Sequence, residues 1–174
     1  MQSQAILEVI ADQARKQPLG KIVARECLGH RAFKEKNPFA HVFSGVRRCG
    51  KSTLLHCMRK AESDRDYYIN FDDERLIDFC VSDFQKLYEL FIEKFGRQNI
   101  FYFDEIQNVA GFERYVRRLH DERKKVYITG SNARLLSKEL GTHLTGRYIK
   151  TELFPFSFRE YLDFENQLSS DKID

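Results

Sequence analysis

The chain has 174 residues, 42% hydrophobic and 32% charged, with a formal net charge of only +3. That length suits one domain with enough chain to bury a core, so small a charge demands neither nucleic acid nor a membrane surface, and no apolar run approaches the ~18 residues of a membrane span. The four cysteines (27, 49, 57 and 80) show no C-x-x-C spacing, which predicts reduced thiols and a cytoplasmic protein.

In chain order, a first helix is predicted from about Gln4 to Gln17. It carries Glu8 and Asp12, which excludes a signal peptide. Pro18-Leu19-Gly20 breaks it. Residues 21–39 are mixed in character and predict a short helix and a loop lying over the core. Strand and helix then alternate. Strands are predicted at 40–44, 66–71, 99–104, 125–130 and 147–153, and helices at 51–60, 83–95, 111–122, 133–139 and 156–163. Ser82-Asp83-Phe84-Gln85 reads as a capping box opening the helix at 83–95, whose Leu87, Leu90, Phe91 and Phe95 share one face. Such alternation with short links argues an α/β fold with a parallel sheet covered on both faces. Sheets of that kind hold ligands at the carboxyl ends of their strands, and every candidate chemical group is expected at such an end. The expected division is an N-terminal helix (1–20), a core (21–165) and a polar C-terminal tail (166–174) leading toward a further region.

Residues 45–52 read Gly45-Val46-Arg47-Arg48-Cys49-Gly50-Lys51-Ser52, the G-x-x-x-x-G-K-[ST] phosphate-binding pattern. Its context is right: the run Ala40 to Ser44 before it reads as a strand, and Leu54, Leu55 and Met58 after it stand at helical spacing. Gly45 and Gly50 lack a Cβ, so the loop can take positive φ and turn its N–H groups inward as an anion nest. Lys51 is placed to reach β- and γ-phosphates, the Ser52 hydroxyl suits Mg2+, and Thr53 falls in the first helical turn near an α-phosphate. The predicted nucleotide-binding set is therefore Gly45, Val46, Arg47, Arg48, Cys49, Gly50, Lys51, Ser52 and Thr53, with ATP and Mg2+ as the implied ligands.

Ile100-Phe101-Tyr102-Phe103 is a buried strand from which two carboxylates, Asp104 and Glu105, emerge, which is the Walker B pattern. Asp104 is expected to hold Mg2+ beside Ser52, and Glu105 to act as general base toward water. After the next strand stand Ser131 and Asn132. Either reports on the γ-phosphate or simply caps the following helix. Asp72 and Asp73 face the metal region or, as such residues more often do, cap a helix or sit in solvent. Arg47 and Arg48 point to a partner or to nucleotide. Arg147 is either an arginine finger serving a neighbouring subunit or a surface ion-pair partner. Arg114, Arg117, Arg118, Arg123, Lys124 and Lys125 form a basic run diluted by Glu113, Asp121 and Glu122, better read as a solvated helix face than as a nucleic-acid platform. Adenine contacts are expected from Ile22 to Leu28.

GVRRCGKST (45–53), YINFDD (68–73), FDEIQN (103–108), Gly111-Phe112-Glu113, ITGSNAR (128–134), Thr145-Gly146-Arg147 and LFPFSFREYL (153–162) together resemble the prokaryotic AAA+-type ATPases whose C-terminal half is a separate domain. The resemblance spans roughly residues 22–163. It implies a three-layer α-β-α P-loop core of ASCE type with strand order 5-1-4-3-2, nucleotide and metal contacts at Lys51 and Ser52, a Walker B pair at Asp104 and Glu105, and a sensor at Ser131 or Asn132. Members usually run longer, and the helical lid with its second sensor arginine has no counterpart in this sequence, so weak hydrolysis is expected. The expected catalytic set is Glu105, Lys51, Asn132 and Arg147, and the metal set Ser52 and Asp104. The expected function is an ATP hydrolase driving a partner domain, with a homo-oligomer as a further partnership. The competing reading is a nucleotide-dependent binding module with little turnover, acting on protein or nucleic acid. A GTPase lacks its N-K-x-D motif here, and a small-molecule kinase has no need of Glu105.

Overall fold

The structure, a computed structural model, describes residues 1–15, 22–23, 25–26, 39–62, 66–131, 144 and 146–170. Within them, strands β1 (Ala40–Ser44), β2 (Tyr67–Asn70), β3 (Ile100–Asp104), β4 (Lys125–Gly130) and β5 (Tyr148–Glu152) form one sheet in the order β2-β3-β4-β1-β5. Every neighbouring pair is parallel. Read from the other edge, this is the 5-1-4-3-2 order the resemblance implied. The helices are α1 (Ser3–Arg15), α2 (Lys51–Glu62), α3 (Phe84–Phe95), α4 (Phe112–Asp121) and α5 (Phe158–Ser170), with short 3-10 turns at Glu74–Leu76, Val81–Asp83 and Ile106–Asn108.

The central strands are apolar on both faces because both faces are covered. Successive side chains point to opposite sides of a strand. Phe101 and Phe103 of β3, with Val42, Val126 and Ile128, enter one core with Ile6, Val9 and Ile10 of α1, Leu87 and Phe91 of α3, and Val116 and Leu119 of α4. The alternate residues Phe43, Tyr102 and Tyr127 enter a second core with Leu54, Leu55 and Met58 of α2. Two helical layers thus sandwich the sheet. The aromatic content is spent here: Tyr102 and Tyr127 stack across β3 and β4 with centroids 4.8 Å apart, and Tyr67 of β2 stacks on Phe91 at 4.7 Å.

A parallel sheet leaves an unpaired backbone row at its edge. On β2, α1 supplies the missing partner with one side chain. The Gln13 amide oxygen accepts the Asn70 N–H at 2.7 Å, and its nitrogen donates to the Asn70 carbonyl at 3.1 Å.

Several boundaries differ from the sequence expectation. α5 runs to Ser170, so residues 166–170, expected in the tail, continue the helix. The capping box before α3 is formed two residues earlier than expected, at the 3-10 turn that precedes the helix. Asp83 rather than Gln85 reaches back, accepting from the Cys80 N–H at 3.1 Å, while Gln85 donates along the helix to Glu89 at 2.9 Å. Asp83 wins because the 3-10 turn at Val81–Asp83 moves the first free N–H groups upstream of Ser82. The helix expected at 133–139, and most of 21–39, lie outside the described residues. Among the described residues no helix is long and apolar enough to cross a membrane, and Cys49, Cys57 and Cys80 are free thiols.

Candidate functional site

β1 ends at Ser44 and α2 begins at Lys51, so residues 45–50 form the turn between a sheet carboxyl end and a helix amino end. The two loop glycines serve different needs. Gly50 takes φ +95° and Arg48, two residues before it, φ +66°, whereas Gly45 is not among the positive-φ residues. Gly45 is needed for close approach instead: a Cβ there would stand 2.2 Å from the Leu153 carbonyl oxygen and 2.9 Å from Cys49 Sγ. The expectation that both glycines supply positive φ is corrected accordingly. The side chain of Lys51 is folded back over its own loop, with Nζ donating to the carbonyls of Gly45 and Val46 at 3.2 Å each. It also lies 3.4 Å from a carboxylate oxygen of Glu105.

β3 delivers Asp104 and Glu105 to the same rim. Asp104 is fully buried. The Thr129 hydroxyl donates to one carboxylate oxygen and the Tyr68 hydroxyl to the other, at 3.2 Å for Tyr68. The Ser52 side chain stands near enough to the same carboxylate to favour its ionised form. Burial pushes this carboxyl above its ordinary pKa, Thr129 and Ser52 opposing it. Thr129 does double duty, since its oxygen also accepts the Glu105 N–H at 2.9 Å.

Glu105 takes the left-handed conformation at φ +50°, a strained choice for a residue with a Cβ. Its carboxylate accepts from Gln107 at 2.6 Å and from the Ser131 N–H and hydroxyl at 3.1 and 2.9 Å. Burial opposes its ionisation, but the donors Gln107 and Ser131 and the charge of Lys51 outweigh burial and hold it below the usual glutamate value.

The remaining candidates divide. Ser131 turns to Glu105; Asn132 and the helix it would cap lie outside the described residues. Asp73 caps the Glu74–Leu76 turn through the Arg75 N–H and pairs with the Arg75 guanidinium at 2.9 Å, the capping alternative. Asp72 is exposed, 3.7 Å from the equally exposed Arg47. Asp72 and Asp73 still line a cavity of about 320 Å³ that reaches Ser52, with Gln13, His56, Tyr68 and Asn70. A smaller cavity of about 120 Å³ opens beside Gly50 and Thr53, lined by Ile22, Val23, Arg25, Leu54, Cys57 and Phe156. Arg147 does not sit at a carboxyl end. It precedes β5 beside the start of β1, its carbonyl accepting the Ala40 N–H at 3.0 Å, and its guanidinium pairs with Asp121 at 2.8 Å. The expectation that all candidate groups share the carboxyl rim fails for this residue, because Gly146-Arg147 leads into a parallel strand rather than out of one. In the basic run, Arg117 and Arg118 pair along α4 with Asp121 and Glu122 at 3.8 and 4.0 Å, as a solvated face does.

The sequence reading passed over Thr129, Tyr68 and Gln107. A lone hydroxyl in an otherwise apolar buried strand end was the available signal for Thr129. Nothing local marks Tyr68, whose contact with Asp104 depends on the β2–β3 register.

Residues 37–162 match the family model of the AAA domain. The chain belongs to the AAA domain family. Its core is accordingly a nucleotide-binding AAA core, with the phosphate loop and the β3 carboxylates inside the matched span. An uncharacterized protein of Methanocaldococcus jannaschii is 44% identical over 126 residues, covering 72% of this chain and 28% of that protein. An uncharacterized protein of Haemophilus influenzae is 39% identical over 151 residues, covering 81% of this chain and 37% of that protein. The AAA chain thus spans little more than a third of the length of these relatives, or less. Among solved structures, the Orc1 protein of Aeropyrum pernix in complex with DNA aligns with 97% of this chain and 48% of its own, at 13% identity and a TM-score of 0.49.

Proposed function

We propose that this AAA domain binds Mg-ATP at the Gly45–Thr53 loop and hydrolyses it. The observation that carries the reading is the meeting of the loop and the β3 end on one rim: Lys51 stands 3.4 Å from Glu105, and Ser52 lies near enough to Asp104 to favour its ionised form. These come from two elements far apart in sequence, and a structural role for either pair alone does not require the other.

The donor set fits magnesium. Ser52 and Asp104 offer hard oxygens of the kind that would hold it. Bound there, Mg2+ would neutralise charge on the β- and γ-phosphate oxygens. The residues of this chain do the rest. Lys51 exchanges its two loop carbonyls for phosphate oxygens. The Gly50 conformation turns backbone N–H groups toward the anion. Glu105, held ionised, accepts the proton of the attacking water. Thr129 and Tyr68 keep the Asp104 carboxylate facing Ser52. The small cavity beside Gly50 and Thr53, floored by Val23 and Leu54, is the proposed adenine seat.

One observation favours the alternative of a switch with little turnover. Glu105 is engaged by Gln107 and Ser131 on one oxygen and by Lys51 on the other, so these contacts compete with its orienting water. Calorimetry with Mg-ATP tests binding: Lys51→Ala loses it, and equal affinity in that variant refutes the site. Phosphate release tests turnover: Glu105→Gln binds but does not hydrolyse, and unchanged release removes Glu105 as the base. A partner domain and assembly into a homo-oligomer, with Arg147 acting on a neighbour's nucleotide, belong to the same proposal. Activity per subunit then rises with concentration, and a flat dependence counts against Arg147.

A further inference from the structure

Arg25 lies outside every motif, yet it is buried, and so is Glu160. Each of the three guanidinium nitrogens donates a hydrogen bond. Nε donates to Glu160 Oε1 at 3.0 Å, one terminal nitrogen donates to the Cys49 carbonyl at 2.7 Å, and the other to the Phe154 carbonyl at 2.6 Å. Glu160 is as fully engaged. Its Oε1 also accepts the Glu26 N–H at 2.9 Å, and its Oε2 accepts the Ser157 N–H at 2.9 Å, while the Ser157 hydroxyl accepts the Glu160 N–H at 3.2 Å. Ser157 and Glu160 are therefore the capping box of α5. One planar cation ties that helix start to the phosphate loop.

The target on the loop is what gives the tie a function. Cys49 and Gly50 share a peptide plane, and in a trans peptide the carbonyl and the N–H point in opposite directions. Arg25 pins the carbonyl, so the Gly50 N–H is held pointing away from the guanidinium, a fixed orientation of the kind an anion nest needs. A free Gly50 at φ +95° has no side chain to hold that orientation; a Cβ there would meet the Arg25 guanidinium at 3.2 Å.

We infer that Arg25 is a positioning residue for the phosphate nest, braced by Glu160, and that this strut couples occupancy of the loop to the first turn of α5. The inference rests on the Mg-ATP reading above.

Lysine cannot reproduce the planar fork, so Arg25→Lys loses at least one of the two carbonyls. Mg-ATP affinity is measured by calorimetry in wild type, Arg25→Lys and Glu160→Gln, below the melting temperature of each ligand-free protein. The expected result is at least a tenfold loss in Arg25→Lys and a smaller, several-fold loss in Glu160→Gln. Glu160 does not itself line the cavity beside Gly50, so a loss there marks an effect passed on through the residues it holds, Arg25 first among them. Unchanged affinity in a folded Arg25→Lys protein overturns the inference and reduces the tie to a structural bridge. Loss in Arg25→Lys with none in Glu160→Gln also overturns it, assigning Arg25 to direct base contact. Should neither variant melt cooperatively, hydrogen exchange of the wild type decides: Mg-ATP must slow exchange in Ser157–Glu160, and no change there refutes the coupling. A wild type that does not bind Mg-ATP instead brings down the site itself.

Discussion

Thr129 offers the sharpest test of how the acidic half of the site is held. Replacing it with valine keeps the shape of the side chain and removes only the hydroxyl. That hydroxyl donates to the buried Asp104 carboxylate and accepts the Glu105 N–H. A hydrogen bond to a charged group contributes about 1.5–3 kcal/mol, and an orphaned buried donor costs about 1–3 kcal/mol. Since both effects share one oxygen and the site relaxes in part, Thr129→Val should destabilise the ligand-free protein by about 3 kcal/mol. At roughly 2–4 °C per kcal/mol for a chain of this size, the melting temperature falls by about 6–12 °C. Thr129→Ser keeps the hydroxyl and removes a methyl, and should lose only about 1 kcal/mol. Thermal melts of both variants by circular dichroism make the comparison. If the valine variant melts with wild type, or the serine variant falls as far as valine, the hydroxyl is not what fastens Asp104.

Further outcomes follow from the same geometry. Asp104→Asn should raise the melting temperature of the ligand-free protein at neutral pH while removing magnesium-dependent nucleotide binding. Because its folded pKa is raised by burial, the charged side chain weakens the fold above that value. Wild-type stability recovers as pH falls from there toward the ordinary carboxylate range, so the gap to the variant closes in acid; a gap independent of pH argues against this. Asp73 has the opposite sign. Its bonds to Arg75 hold it below the ordinary carboxylate value, so its contribution is present above that range and disappears as pH drops through the depressed folded pKa. Urea melts across acid pH should show a flatter acid limb for Asp73→Asn. Gly45→Ala must push the Leu153 carbonyl off the loop, since 2.2 Å is no contact a Cβ can keep. A loss of about 1–3 kcal/mol is expected, and a melt unchanged from wild type would show that β5 yields freely.

The alternation of apolar runs with helix-spaced segments was enough to place all five strands within one or two residues, because buried parallel strands cannot hide their composition. The phosphate loop and the Asp104–Glu105 pair were legible for a related reason: each is a local pattern whose chemistry depends on neighbours in the chain. Other features had no local trace. Gln13 reads as a polar residue late in an amphipathic helix; only its position against the edge of β2 makes it a surrogate strand. Arg25 and Glu160 stand 135 residues apart, and nothing in either neighbourhood predicts the other. Arg147 was misplaced on the rim because a residue beside a strand has no end until the direction of that strand is known.

The sequence by itself determined the layer architecture and the identity of the groups gathered at the candidate site, since periodicity and short-range spacing are properties of the chain. Tertiary structure alone decided how those groups are oriented: which oxygen of Asp104 faces Thr129 and which faces Tyr68, what restrains Glu105, and which cation turns the Cys49–Gly50 peptide. Orientation depends on register between strands and on contacts across the sheet, and a hydrogen bond's energy falls steeply with angle and distance. Those quantities exist only once distant segments are packed together.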